Sequence, residues 1–291
     1  MKKKLFLSVL ILFTICISGC KYYSYGMEEF LYRSGTVEKR TASVLELEDS
    51  DVPVVPTEGS YNILVITDVH FGAEKSEEYR KKLSAAFINY VKNIPAAEKP
   101  LFCICLGDIS EHGLKSQFES FNQFVNKLSD LGIKTYSILG NHDLYNSGWH
   151  AYKDTIFPFT SFYYFKTDVF SFYFIDSASG SLGKNQMNIL ENILIKDLNP
   201  KIVSSHIPIY ANDFFYFSMQ NSMERNLLIS MMAENNVKAF FDGHTHHSNS
   251  FNMGNFTEYN IPGFLEKNEF GIITLNQDDV SVSVKIVKLD F

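Results

Sequence analysis

Five short apolar runs in this chain each stop at a polar bend, four of them marked by glycine or aspartate. The residues at the bends are carboxylates, imidazoles and one carboxamide. That repetition restricts the fold more than any other feature. Thr135 to Leu139 reads as a buried strand, and it ends in Gly140-Asn141-His142-Asp143. A strand stopping at Gly-Asn sets the next side chains at its carboxyl end, where open α/β sheets keep their sites. Taken alone, the tetrapeptide also reads as a Gly-Asn turn followed by an aspartate helix cap.

The other runs arrive in order. Ile63 to Ile66 is continuous and β-branched, as a strand covered on both faces should be, and it leads into Asp68-Val69-His70. Asp68 and His70 are two apart, so they share a side while the chain is extended. Leu101 to Leu106 leads into Gly107-Asp108, with Glu111 and His112 just beyond. Ile202 to Ser205 leads into His206, and Val237 to Phe241 into Asp242-Gly243-His244-Thr245-His246. Between these runs lie helical spacings. Leu83, Phe87, Tyr90, Val91 and Ile94 form one stripe, and Phe118, Phe121, Val125, Leu128 and Leu131 another. Val169 to Ile175 reads as a further strand, Lys184 to Lys196 as a helix, and Leu227 to Met232 marks one more. The tail alternates around Asn276 to Asp279 and predicts an antiparallel hairpin. Strand–helix repeats closed by antiparallel strands predict an α/β fold, with two sheets packed together and helices outside. Residues 145–165 are crowded with aromatics and lack periodicity, which fits either a packed loop or a wall of a substrate site.

The amino-terminal stretch is of another kind. Lys2-Lys3-Lys4 precedes an apolar run from Leu5 to Ile17, too short to span a bilayer comfortably, and Ser18-Gly19-Cys20 follows. This resembles the lipobox of bacterial lipoproteins, which implies a signal peptide over residues 1–19, cleavage before Cys20 and lipidation of its thiol. An ordinary signal peptide and an uncleaved anchor are the alternatives. Residues 20–59 then form the lipidated cysteine and a tether with a short strand at Ser43 to Leu47, and residues 60–291 the folded domain. Pro53 and Pro56 argue against a central strand before Tyr61. Cys103 and Cys105, two apart on a strand, read as buried small hydrophobes. The formal charge is −7, and loss of residues 1–19 removes three lysines and no acid, giving −10. Such a balance argues against nucleic acid as an obligate partner.

Collected, the bend residues are Asp68, His70, Asp108, Asn141, His142, His206, His244 and His246. Carboxylate, imidazole and carboxamide without thiolate suit Mn, Fe, Zn or Co rather than a structural zinc–thiolate site. A lone His70 or His206 reads as a satisfied polar residue, and Asp108 as a helix cap; five bends in sequence order would each need a separate explanation. Even seven of these eight as ligands exceed what one ion takes and suffice for two, and ions ~3.5–4 Å apart form a clamp for phosphoester hydrolysis.

DxH, GD, GNH(D/E), a single His and GHxH, in that order, resemble the signature of the calcineurin-like metallophosphoesterases. The resemblance spans about Tyr61 to the carboxyl terminus. It implies a four-layer α-β-β-α sandwich of two packed mixed sheets. It also implies two divalent or trivalent transition-metal ions (Mn, Fe or Zn) and a bridging hydroxide. By position, Asp68, His70 and His246 would hold the first metal and Asn141, His206 and His244 the second. Asp108 would bridge both, His142 would face the leaving group, and Glu111 would orient that histidine. Asp143 would fix the turn. Protein phosphatases of this fold carry an arginine after GD and another after GNHE, where this chain has neither, so a phosphoprotein substrate is disfavoured. The implied activity is hydrolysis of a phosphomonoester or phosphodiester on a small molecule or lipid. It would take place outside the cytoplasm, in an exported bacterial lipoprotein membrane-anchored toward the periplasm or cell exterior. A non-catalytic metal-binding scaffold and a nuclease are the alternatives.

Overall fold

The computed structural model describes residues 36–75, 77–211 and 217–291. The leader, Cys20 and the first part of the expected tether lie outside the described residues.

Two mixed sheets form the body. The first has the order β12-β11-β2-β3-β4, where β2 is Ser60–Ile66, β3 Phe102–Cys105, β4 Lys134–Ser137, β11 Glu269–Asn276 and β12 Ser281–Lys288. Strands β2, β3 and β4 are parallel, and Ile66, Cys105 and Ser137 end in register, so the bends that follow them lie side by side. The second sheet runs β1-β5-β6-β7-β8-β10-β9: Leu45–Glu46, Tyr163–Lys166, Ser171–Phe174, Lys201–Ser204, Val237–Asp242, Thr257–Asn260 and Asn249–Asn252. Here Phe174, Ser204 and Phe241 align at the carboxyl ends.

Three apolar layers hold the sheets and helices together. Ile63, Val65, Phe102, Ile104 and Tyr136 of the first sheet meet Phe165, Phe172, Phe174, Ile202 and Phe241 of the second. The rings interlock, Phe102 against Phe172 at 5.3 Å and Tyr163 stacked on Phe174 at 4.3 Å. Each fully buried Phe contributes roughly 1.5–3 kcal/mol before ordering entropy is subtracted. Alternate residues of β2 and β3, with Cys103 and Cys105 among them, face outward onto the helices Glu77–Lys92 and Lys115–Ser129. On the far side, helices Gly183–Lys196 and Ser222–Glu234 cover the second sheet through Met187, Leu190, Leu194, Leu228 and Met232. This is the four-layer α-β-β-α sandwich, with both cysteines buried and free.

The aromatic stretch 145–165 belongs to the core. It contains the helix Gly148–Thr155 and strand β5, and Tyr152, Phe162, Tyr163 and Phe165 are fully buried. Lack of periodicity came from joining a short helix to a strand. Strands β9 and β10 and the short helix Phe264–Lys267 have no counterpart in the sequence pattern, because their side chains are mostly polar.

Residues 36–59 pack onto the domain rather than hang from it. The strand expected at Ser43 to Leu47 is Leu45–Glu46, pairing with Tyr163 and Tyr164. Glu38 accepts from the backbone of Lys184 and Asn185 at 2.7 and 3.1 Å, capping the helix they begin. Arg40 is buried and bidentate on Asp176, at 2.7 and 3.1 Å, and also donates to Ser179 at 2.8 Å. Its partner stands 136 positions away, which no local pattern could show.

Removing the guanidinium would leave Asp176 buried without its counter-charge. Arg40→Ala is expected to cost about 3–5 kcal/mol, read as a lowered midpoint of chemical denaturation. An unchanged midpoint would mean that the arm does not clamp the second sheet.

Candidate metal centre

The centre forms where the carboxyl ends of both sheets meet. Thr67 to His70 follow β2, Asp108 follows β3, and Asn141 and His142 follow β4; His206 follows β7, and His244 and His246 follow β8. Five of these residues stand in left-handed backbone: Asp68 (φ 54°), His70 (44°), Asp108 (49°), His244 (65°) and His246 (58°). Each such residue costs of order 1–3 kcal/mol and persists only where its surroundings hold it. Here the bends hold one another. Asp68 N donates to Gly107 O at 3.1 Å, His70 N to Asp108 O at 3.0 Å, and Gly243 N to His206 O at 3.1 Å. The bends crowd together at Gly140, where a Cβ would lie 2.1 Å from Asp108 N and 2.3 Å from its Oδ1. That contact lets His142 N donate to Asp108 Oδ1 at 2.8 Å. Asp143 accepts from Ser110 N and Gly140 N at 2.7 and 2.8 Å, so it fixes this turn.

The expected ligands gather in two overlapping groups. Donor atoms of Asp68, His70 and His246 lie within 4.8 Å of one another, and so do those of Asp108, His206 and His244. Asp108 Oδ2 stands between the groups, 3.4 Å from His206 Nε2 and 3.8 Å from His70 Nε2. Asn141 Oδ1 is 2.9 Å from His206 Nε2. His142 forms a third group with His70 and Asp108, and its ring meets His70 edge-on at 4.8 Å between centroids.

Outer contacts aim the imidazoles. His206 Nδ1 lies 2.8 Å from Leu106 O, His70 Nδ1 2.8 Å from Glu111 Oε2, and His246 Nδ1 2.6 Å from Glu266 Oε2. Each therefore presents Nε2 inward. Glu111 differs from expectation in emphasis. Its carboxylate is nearer His70 than His142, whose Nδ1 is 3.5 Å from Oε1 and 3.1 Å from the Glu111 carbonyl. Glu266, on the short helix Phe264–Lys267, is a residue that sequence reasoning missed, since a glutamate on a polar turn carries no signal.

The charges fit cations. Asp68 Oδ1 is buried with His246 Nε2 at 3.1 Å and His70 Nε2 at 3.7 Å, three donor atoms converging where a bound cation would satisfy them. Burial favours neutral imidazoles, yet the carboxylates prevail. Asp68 and Glu111 raise His70 to about 11, Asp108 raises His206 to about 9, and Asp68 and Glu266 raise His246 to about 9. Burial and the neighbouring His206 push His244 down to about 3. Burial would raise Asp68, but His246 and His70 hold it well below the ordinary carboxylate range. The residues present thus suit two metal ions. They line an open cleft of about 560 Å³, whose rim adds Glu74, Lys75, Phe217 and Leu265.

Residues 61–248 match the family model described as calcineurin-like phosphoesterase. No curated protein matches the chain. Among solved structures, a dimetal phosphatase from Danio rerio is similar at a TM-score of 0.59 and 13% identity, covering 78% of this chain and 99% of that one. GAP50, the anchor in the inner membrane complex of Plasmodium, reaches 0.58 and 15%, covering 79% and 85%. Purple acid phosphatase PPD1 from yellow lupin seeds reaches 0.56 and 12%, covering 82% and 56%. At these identities the likeness is one of fold.

A cation entering this site must displace the protons held on His70, His206 and His246, so affinity is expected to rise with pH through neutrality. Above about 9, His206 and His246 lose those protons unaided and the dependence flattens. Calorimetric titration of Mn into chelator-stripped protein, in buffers of different ionisation enthalpy, would count the protons released. Uptake independent of pH between about 6 and 8 would contradict the assignment.

Proposed function

Because the chain belongs to the calcineurin-like phosphoesterase family, we propose that it is a two-metal phosphohydrolase acting on a small phosphate monoester or diester outside the cytoplasm. The observation that carries this reading is the meeting of two ligand groups around Asp108, with His142 facing both. Asp68, His70 and His246 would hold one ion (Mn, Fe or Zn by donor type), Asn141, His206 and His244 the other, and Asp108 would touch both. When bound, the pair supplies positive charge to the phosphoryl oxygens and activates water for attack.

The chain's own groups do the rest. His142 turns Nδ1 to Glu111, which leaves Nε2 to give a proton to the leaving oxygen. Tyr145 backs the ring at 4.9 Å and limits its swing. Phe217, Leu265 and Ala73 add apolar surface to the cleft, and Glu74, Lys75 and Glu266 add charge. With one lysine and no arginine among the described lining residues, the cleft supports a small ester better than a phosphoprotein or a polynucleotide. Retention of His142 beside intact ligands supports turnover over a scaffold role.

We read residues 1–19 as a signal peptide and Cys20 as the lipid-bearing residue of an exported bacterial lipoprotein. Among the described residues no helix is long and apolar enough to cross a membrane, so the proposed tethering rests on that cysteine.

Two measurements test these assignments. With Mn supplied, His142→Ala is expected to lower hydrolysis of an aryl phosphomonoester or phosphodiester by roughly 10²–10⁴-fold while both ions stay bound. Whichever ester the wild type prefers names the substrate class, and equal turnover in the mutant would remove His142 from the chemistry. Cys20→Ser should move the protein from the membrane to the soluble fraction; continued membrane association would overturn the anchor.

A further inference from the structure

The segment from Gly263 to Lys267 lies beyond the residues matched to the family, yet it meets the centre at four points. A Cβ on Gly263 would come within 2.9 Å of His246 Cγ, so the backbone there lies flush against the imidazole. Phe264 N donates to Thr67 O at 2.8 Å and Leu265 N to Asp68 O at 3.3 Å, tying the segment to the bend that carries Asp68 and His70. Glu266 Oε2 is 2.6 Å from His246 Nδ1, and Lys267 Nζ donates to Glu266 Oε1 at 2.7 Å. On its inward side His246 Nε2 stands 3.1 Å from Asp68 Oδ1.

The two ligand groups are therefore backed unequally. In the Asp68 group both imidazoles rest on carboxylates, His70 on Glu111 and His246 on Glu266. In the Asp108 group His206 rests on a neutral peptide carbonyl, that of Leu106. A carboxylate behind an imidazole fixes its tautomer and strengthens the opposite nitrogen as a donor. We propose that Glu266 is a positioning residue for His246, and that it sets the metal affinity of the Asp68–His70–His246 group separately from that of its neighbour. The proposal rests on the two-metal reading. Glu266 is half-exposed at the mouth of the cleft, so its removal leaves no buried hole.

The test is stepwise loading of the chelator-stripped full chain with Mn, followed by competition with a chelator and by metal analysis. The wild type should take two ions with two affinities. Glu266→Ala should weaken one of them by roughly 10–100-fold and leave the other in place. The weakened step should be the one abolished by His246→Ala and not the one abolished by His244→Ala. Glu266→Gln, which keeps an acceptor without the charge, should fall between. The thermal midpoint of the stripped protein should shift only as far as loss of a half-exposed ion pair allows, whereas a merely structural role would lower it without singling out one affinity. Both affinities unchanged, or both weakened together, would overturn the assignment. A wild type that takes only one ion would instead overturn the two-metal reading beneath it.

Discussion

Asp68 and Asp108 are two carboxylates removed from water at the seam between two sheets, and most of the surrounding structure answers their charge. Isolated buried carboxylates of this kind are costly unless they meet cations or hydrogen-bond donors. The chain supplies imidazoles on both sides, and backbone donors where no imidazole reaches, such as His244 N on Asp68 Oδ2 at 3.1 Å. Bringing those groups within range forces five residues into left-handed backbone and strips the side chain from position 140. The strain is concentrated at the bends, and the strands behind them are regular, so the cost is borne by the two packed sheets.

That division explains what could be read in advance. Parallel strands covered on both faces show as unbroken apolar runs, and their ends show as glycine and polar punctuation. Ile63 to His70 and Val237 to His246 were legible for that reason, and with them the layers and the gathering of aspartate and histidine at the strand ends. The amino-terminal arm was not. Arg40 looks like any basic residue in a polar stretch, and only the fold reveals that Asp176 waits for it. Glu266 and the strands β9 and β10 were hidden likewise, because mostly polar residues on a short turn or a four-residue strand have no period to betray them. The aromatic stretch stayed open between two readings, since density of rings says nothing about whether they face a ligand or a core.

The candidate ligands do not come from one sheet. Asp68, His70, Asp108, Asn141 and His142 follow strands of the first sheet, and His206, His244 and His246 strands of the second. The spacing of the donor groups is therefore set by how the sheets face each other, and ultimately by the ring layer between them. Phe102 against Phe172 and Tyr136 against Phe174 act as spacers in that layer. A close-packed interior resists changes of even a methylene, so the distance between the ligand groups is held from within the core as well as at the bends.

Asp68 and His244 touch across 176 positions of chain. Synthesis from the amino terminus therefore delivers one half of the ligand set long before the other. Until the last strands of the second sheet emerge, the growing polypeptide lacks His244 and His246, so neither donor group is complete. On the export reading, a chain threaded unfolded through a membrane would leave the cytoplasm unladen. The ions it finally holds would then be drawn from the pool at its destination, so the metal chosen would report where the chain folds as much as what its ligands prefer.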